Sequence, residues 1–464
     1  MHSRTTLCLA AVALLGAPAT GQQTDPDSSH SPPGEASSSV PIGAPADRIL
    51  HTESDAQLAA LIVDALTRNP AVAAATAEAR AAEHRSVAVG ALPDPTVGII
   101  AFLQSPETRT GPQVLTLSLL QELPWLSKLN LDEQAGLLTA ASLYADVEAR
   151  RLALVTEVRR LYFELAFLAR QREITQDFLD HLSQHEEISR SRYATGMGTS
   201  QGVIKIQAEI TAAESQLLDI DQRRIDLEPQ LNNLLDRPAS TVILPAVLPA
   251  DREIHLEHDD LLASALASRP ELAAVDARIA ASQLRIERAE KSYRPNFKVG
   301  LIYTFVEPRE DRAGVVLPPE GNGDDIFGIQ GGVSIPFWRQ SLAARVDEAA
   351  QLELAAQEAK RGTVAAIQSS IGELMQKIPL SWQQLRLLED ILIVQAEESV
   401  ASAESGYVSG TFNALDLLDA EHVLYRTQTS IARAQADHAI RLARLEGAVA
   451  RPLSLEPNKE APNP

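Results

Sequence analysis

Residues 114–125 read VLTLSLLQELPW, and residues 327–337 read FGIQGGVSIPF. In both stretches apolar residues alternate imperfectly with polar or small ones, and each contains a proline, Pro124 or Pro336, near its end. Imperfect alternation is typical of strands whose two faces meet different surroundings. Proline ends a strand because it donates no backbone hydrogen bond. A helical pattern begins after each proline, so both stretches predict a passage from strand to helix.

The chain contains this design twice. Short sequence motifs occur in the same order in both copies. Matching motifs are 200 residues apart near the start of each copy and 214 residues apart near its end. The separation grows mainly between Tyr303 and Ile326, where the second copy has a Pro-, Gly- and Asp-rich stretch typical of a surface loop. The matching words are 65–70 with 265–270, 123–125 with 335–337, 193–196 with 407–410, and 237–238 with 451–452. These anchors predict an internal duplication.

In each copy the sequence pattern predicts a helix at the start, then two strands, a very long helix, a tight turn and a second helix that returns antiparallel to the first. The predicted helices are 55–91, 126–190 and 199–235, then 259–293, 338–404 and 413–449. The predicted strands are 96–102, 114–120, 297–305 and 327–335. A helix of about 65 residues is roughly 100 Å long. Steps of four and three residues predict a coiled-coil seam through Leu154, Val158, Leu161, Leu165 and Leu168. Pro379 predicts a kink in the second long helix.

The chain divides by composition and repeat into six segments. Residues 1–21 have a basic start, an apolar run and small residues at candidate cleavage sites, which predicts a signal peptide. The Ser- and Pro-rich residues 22–50 predict a disordered linker. The other predicted segments are a first repeat (51–240), an inter-repeat linker (241–256), a second repeat (257–452) and a disordered tail (453–464).

Composition excludes several classes of protein. A net charge of −21 argues against a nucleic-acid partner. The single cysteine, Cys8, lies in the predicted signal peptide, which excludes disulfides and thiol chemistry after export. No apolar run of about 18 residues follows the N-terminal segment, which argues against a helical membrane protein. No phosphate loop or nucleophile motif is present, so we expect neither an enzyme nor a cofactor.

Four strands in one chain cannot close a barrel in a membrane, because the edge strands would stay unpaired in lipid. The strands make sense in a membrane only where several copies share one barrel. The alternative is a small sheet in water, and periodicity alone leaves both possibilities open.

The sequence resembles the TolC family of outer-membrane efflux channels over roughly residues 55–452. The repeat order and four sets of words carry the resemblance: 121–125 with 333–337, 193–196 with 407–410, 207–209, and 232–235. The resemblance implies a mainly α protein with membrane β: long antiparallel helical hairpins plus four strands per chain. It implies a homotrimer with a 12-stranded β-barrel in the outer membrane of a Gram-negative bacterium and a periplasmic α-helical tunnel. It also implies a periplasmic adaptor and an inner-membrane pump of the RND or ABC type as partners.

Two acids follow the second turn. Asp416 and Asp419 stand three residues apart, which places them on one helix face. In a trimer they would form rings of six carboxylates that attract cations, and TolC-like channels have an acidic constriction at this point. The alternative is a pair of solvated charges.

The resemblance also implies a Tyr, Arg and Asp lock at the closed tip. Tyr407 matches the tyrosine, but Phe412 stands at the arginine position and Gly202 at the aspartate position. The lock is therefore expected to be incomplete, with Phe412 adding an apolar constriction.

The two turns predict the periplasmic tips. Gly196, Gly198 and Gly410 are expected to allow positive φ. By resemblance, adaptor docking is expected at the turns, which include Tyr193 and Ser409 as well as these glycines.

His181 and His185 stand four residues apart, as do many helical metal ligands, and Asp419, Glu421 and His422 form a second weak cluster. An exposed histidine pair on a polar helix is commoner than a metal site. We therefore expect no metal site.

The predicted function is a passive exit channel of a tripartite efflux system. Leu92–Pro95 and residues 121–125 resemble the heavy-metal branch slightly more than the drug branch. The alternatives are the outlet of a type I protein secretion system and a periplasmic coiled-coil adaptor.

Overall fold

The computed structural model describes residues 44–244, 246–249, 254 and 257–453. The predicted signal peptide, residues 22–43 of the predicted linker and residues 454–464 of the predicted tail lie outside this part. The end of the linker was wrongly predicted to be disordered, because helix α1, Pro45–His51, forms there. Pro45 suits the first helical position, where no N–H partner is needed, and Ala46 and Ile49 are buried in the main core.

The first repeat contains three kinds of element. The start is α2, Ala56–Arg68, and α3, Pro70–Gly90. The strands are β1, Thr96–Ala101; β2, Glu107–Thr108; and β3, Gly111–Leu123. The hairpin is α4, Leu126–Ala194, with α5, Ser200–Leu234. The two-residue β2 was not predicted.

The second repeat has the same order. Its helical start is α6, His258–Ser268, and α7, Pro270–Glu290, followed by a 3₁₀ turn, Lys291–Tyr293. Next come β4, Asn296–Val306; α8, Arg312–Val316; and β5, Ile326–Ser334. The hairpin is α9, Arg339–Leu387, a π turn, Leu388–Leu392, α10, Ile393–Ser409, and α11, Ala414–Val449. Pro379 lies inside α9, whose helical bounds continue past it, and the irregular turn comes later.

The predicted single helices at the repeat starts are each broken in two before a proline. The Asp55 carboxylate accepts hydrogen bonds from two N–H groups at the start of α2, and the Asn69 side chain does the same for α3. Proline at the first position of α3 and α7 disfavours helix in the residue before it. No described helix is by itself both long and apolar enough to span a membrane, although α2 and α3 together, bent by 42°, meet that test.

Helix α4 provides the main packing surface. All five residues of its predicted seam are buried, which confirms that prediction. The first four share one core with Leu58 and Ile62 of α2 and with Ile440 and Ala443 of α11, whereas Leu168 packs in a neighbouring cluster with Ile220 of α5 and Ala436 of α11. Two smaller clusters lie toward the hairpin turns: one joins α4, α5 and α11 around Leu182, and another joins α10 and α11.

The strands form one antiparallel sheet in the order β1-β3-β4-β5, with β2 paired to β3. Within it, Leu119 lies opposite Val97 on one side and opposite Leu301 on the other. Leu301 in turn lies opposite Ile329. β1 and β5 are therefore the two edges.

The two faces of the sheet differ in character. One face exposes a continuous set of apolar side chains: Val97, Ile99, Leu119, Phe297, Val299, Leu301, Tyr303, Phe305, Phe327, Ile329 and Val333. On the opposite face the Thr116 and Thr304 hydroxyls are hydrogen bonded at 2.9 Å, and Lys298 lies 3.8 Å from Glu122. These side chains are solvent-exposed in the single chain.

Candidate functional site

The two hairpin turns have the same backbone geometry. In the first, the Met197 N–H donates to the Arg192 carbonyl at 2.8 Å, and Gly196 has φ of 77°. In the second, 214 residues later, the Thr411 N–H donates to the Gly406 carbonyl at 2.9 Å, and Gly410 has φ of 79°. A left-handed glycine with this hydrogen bond ends a helix and reverses the chain.

Gly198 was expected, like Gly196 and Gly410, to allow positive φ, but its φ is not among the positive values of the described residues. A Cβ there would lie 3.0 Å from the Tyr193 nitrogen, so close packing on the end of α4 is what favours glycine. The remaining tip residues, Tyr193 and Ser409, are both exposed but differ in their contacts. Tyr193 is half exposed, whereas the Ser409 hydroxyl is hydrogen bonded inside its own turn to the Gly406 carbonyl.

An arginine that the sequence reasoning missed joins the two hairpins near their turns. The Arg192 guanidinium of α4 lies 4.6 Å from the centre of the Tyr407 ring, and it also donates a hydrogen bond to the Tyr407 carbonyl. Tyr407 is 6% exposed, so this contact is largely shielded from water. The arginine comes from the first hairpin rather than from position 412.

Phe412 and Gly202, which stand at the expected arginine and aspartate positions, have packing roles. The Phe412 ring lies against Gly406, where a Cβ would be 2.2 Å from it, and the side chain is 44% exposed. Gly202 lies at the start of α5, where a Cβ would be 3.2 Å from that of Ala414. Glycine at 202 thus lets the two returning helices approach closely.

Asp416 and Asp419 both lie exposed at the start of α11. The Asp416 carboxylate accepts a hydrogen bond from the Asn413 N–H at 2.9 Å, and the Asn413 side chain accepts from the Asp416 N–H at 3.2 Å. This reciprocal capping box fixes the helix start. Asp416 therefore has a local structural role in addition to its charge.

The strand-to-helix passages lie at the other end of the long helices. Pro124 separates β3 from α4, and Pro336 separates β5 from α9. The 69 residues of α4 span roughly 100 Å between its passage and its turn. The sheet and the hairpin turns thus lie at opposite ends of one helix.

A buried lysine at the start of α4 binds the strand-to-helix passage of the first repeat to the second repeat. Lys128 is 6% exposed, and its ammonium donates to the Arg294 carbonyl and to Asn296 Oδ1, both at 2.8 Å. Burial, and then the nearby Arg288 charge, lower the pKa of Lys128. No local pattern predicts these two contacts, which join Lys128 to residues that come 166 and 168 positions later in the chain.

Replacing Lys128 by methionine should destabilise this junction by about 1–3 kcal/mol, because two buried acceptors lose their donor. The temperature at which the purified protein unfolds, followed by circular dichroism, measures the effect. Lys291→Met is the matched control, since the Lys291 ammonium lies 3.5 Å from Glu287 on its own helix. Equal unfolding temperatures for the two variants would contradict the role given to Lys128.

Four acid–base side chains from three helices converge nearer the turns. His181 Nδ1 and His185 Nε2 of α4 lie 3.6 and 3.1 Å from the two carboxylate oxygens of Glu421 on α11. Glu404 of α10 adds a second carboxylate beside His185 and Glu421. Glu421 of the second weak cluster thus meets the histidine pair, whereas Asp419 and His422 are not part of the group.

Comparisons with known proteins agree with this architecture. The family model for the outer membrane efflux protein matches residues 61–236 and 261–451. The pyoverdine export outer membrane protein OpmQ of Pseudomonas putida is 24% identical over 413 residues, which cover 85% of this chain and 84% of the relative. The toxin and drug export protein A of Aggregatibacter actinomycetemcomitans is 26% identical over 159 residues, 33% of this chain and 34% of that protein.

Solved outer-membrane channels share the fold. The structure of the outer-membrane channel OprN superposes with a TM-score of 0.73 at 17% identity, covering 93% of this chain and 98% of that one. The outer membrane protein VceC of Vibrio cholerae gives a TM-score of 0.70 at 20% identity, covering 86% and 97%. These matches confirm the resemblance to the TolC family of outer-membrane efflux channels, and with it the predicted outer-membrane location and efflux function. The family match spans well over half of the chain, and this protein therefore belongs to the outer membrane efflux protein family.

Proposed function

We propose that three copies of the chain share one 12-stranded barrel in the outer membrane, with their helical hairpins forming a tunnel in the periplasm. The observation that carries this proposal is the sheet, which has one exposed apolar face and two unpaired edges. In lipid the apolar face is favourable, but the free N–H and C=O groups of the edges are not. Pairing the edges of neighbouring copies satisfies these groups and leaves the apolar face in contact with lipid.

The strand directions support closure. Each neighbouring pair in the order β1-β3-β4-β5 is antiparallel, so the two edge strands β1 and β5 run in opposite directions. The β5 edge of one copy therefore pairs with the β1 edge of the next in the same antiparallel sense. Three copies give twelve strands, a number within the range of membrane barrels.

In this arrangement the protein acts as a passive exit duct of a tripartite efflux system. The hairpin turns reach the periplasmic end of the duct, where the exposed side chains of Met197 and Val408 offer an apolar docking surface to an adaptor. An inner-membrane pump supplies the driving force. The match to the pyoverdine export protein covers most of both chains. This match supports a small-molecule cargo more than a protein cargo.

Cell fractionation tests this function. The protein is expected in the outer membrane as an assembly that runs at trimer mass on a denaturing gel without heating and at monomer mass after boiling. A soluble monomer in the periplasm would refute the proposal.

Asp416 and Asp419 are proposed to line the duct just inside its periplasmic entrance. Both are exposed in the single chain and lie within the first two helical turns of α11, which follows the hairpin turn at Gly410. Three copies would bring six carboxylates together in a narrow passage, where their combined field attracts cations.

The double variant Asp416→Asn with Asp419→Asn should therefore lose most of its cation selectivity and its block by polyvalent cations. Asparagine at 416 keeps a side-chain oxygen for the capping box, so the helix start is retained. The reversal potential in planar bilayers under a salt gradient measures the change. Asp347→Asn with Glu358→Gln on α9 removes the same charge far from the turn as a control. Unchanged selectivity in the first variant would disprove the pore ring.

A further inference from the structure

The cluster of His181, His185, Glu404 and Glu421 is built differently from an ordinary surface ion pair. Glu421 is 2% exposed and His185 is 9% exposed, so the central pair is shielded from water. A buried carboxylate is costly unless its charge is balanced. Two histidines on one helix face, rather than one, converge on this carboxylate.

A second carboxylate increases the negative charge of the cluster, which a bound cation would neutralise. Ligand atoms of His185, Glu404 and Glu421 lie within 4.8 Å of one another. Two carboxylates at this distance repel each other when both are ionised.

The distances suit a small tetrahedral ion. Zn²⁺ binds imidazole nitrogen and carboxylate oxygen at about 2.0–2.2 Å, which places neighbouring ligand atoms about 3.3 Å apart. The observed separations of 3.1 Å from His185 and 3.6 Å from His181 to the Glu421 oxygens lie on either side of that value. Two neutral imidazoles with two carboxylates would also neutralise a divalent ion.

The ring of His185 has a polar contact at Nε2 only. Its Nδ1 is buried and has no hydrogen-bond partner, so the ring orientation is not fixed by a second contact. His181 is half exposed and can turn toward the carboxylate. Among the described residues, no other three His, Cys, Asp or Glu side chains converge in this way.

We propose that His181, His185, Glu404 and Glu421 form a binding site for Zn²⁺ or a similar divalent transition metal. The ligands come from α4 in the first hairpin and from α10 and α11 in the second. A bound ion therefore clasps the two hairpins together, about 15 Å along α4 from the turn. This resident site is separate from any cargo and from the proposed pore ring at Asp416 and Asp419.

The chain provides a matched control. His422 of α11 and Glu209 of α5 form another His–Glu pair, with Nε2 and the carboxylate 3.0 Å apart. No third metal-ligand side chain joins them among the residues that the structure describes. A histidine–carboxylate contact alone should bind Zn²⁺ far more weakly than four ligands.

Isothermal titration of the chelator-treated, detergent-solubilised full-length protein with Zn²⁺ alone tests the site. We expect one ion per chain, with a Kd in the micromolar range or tighter. The affinity should fall at least about tenfold in His185→Gln and Glu421→Gln, and it should be unchanged in His422→Gln. Co²⁺ should give the visible absorption of a tetrahedral site in the wild type and lose it in His185→Gln.

Two exposed ligands keep the test independent of folding. His181→Gln and Glu404→Gln change side chains outside the core and should also weaken binding, with unchanged circular dichroism. Absence of stoichiometric Zn²⁺ binding, or equal affinity in the wild type and His185→Gln, would overturn the site. Because binding is measured without transport, its failure leaves the proposed channel function unaffected.

Discussion

Leu301→Lys is expected to abolish assembly in the outer membrane. Leu301 lies in the middle of β4, on the exposed apolar face, with Leu119 and Ile329 opposite it on the two neighbouring strands. A lysine on the lipid face of a barrel costs about 2–4 kcal/mol near the bilayer centre, and a trimer carries three copies. The amount of heat-modifiable trimer in outer-membrane fractions measures the effect.

Gln330→Lys is the control for that experiment. Gln330 is exposed on the opposite face of the neighbouring strand β5, beside Gly300. The same charge there should face the interior of the barrel, where polar groups are tolerated. Normal assembly of Gln330→Lys with loss of Leu301→Lys is the expected pattern. Normal assembly of both variants would show that the apolar face does not meet lipid.

Arg192→Ala is expected to loosen the hairpin tips and raise the conductance. The arginine connects α4 to the Tyr407 ring and carbonyl at the end of α10. A shielded cation–π contact and a charged hydrogen bond together contribute on the order of 3 kcal/mol. Losing that much changes a two-state equilibrium by roughly a hundredfold. Single-channel recordings in planar bilayers should therefore show larger or longer openings.

Arg190→Ala separates this contact from a general loss of charge. Arg190 is exposed and pairs with Glu186 on its own helix, so its removal leaves the junction between hairpins intact. Wild-type conductance is expected for Arg190→Ala. If Arg192→Ala also conducts like the wild type, the contact with Tyr407 does not hold the tip.

Local rules predicted most of the elements because each rests on a short stretch of sequence. The passages at Pro124 and Pro336 and the coiled-coil seam of α4 agree with the structure. The kink expected at Pro379 stays a prediction, since the helical bounds continue past it. The composition of residues 45–50 led to a wrong prediction of disorder. Burial of Ala46 and Ile49 stabilises a helix there, although the preceding residues are rich in proline and serine.

Contacts between distant parts of the chain could not be predicted from those rules. The family pattern drew attention to position 412, whereas the arginine comes from position 192 in the other copy of the repeat. The same holds for Glu421, which meets two histidines more than 230 positions earlier. Such side chains come together only through the packing of one hairpin on the other.

Crosslinking between neighbouring copies tests the shared barrel most directly. Cys8 is the only cysteine, so after Cys8→Ser, pairs of cysteines can be placed on the edges, one at 97 or 99 in β1 and one at 327, 329 or 331 in β5. In one chain these edges are separated by β3 and β4. At the register in which β5 of one copy pairs with β1 of the next, a short bifunctional thiol reagent should convert the outer-membrane protein into covalent dimers and trimers. Crosslinking that yields monomers alone at every pair would contradict a barrel shared by three chains.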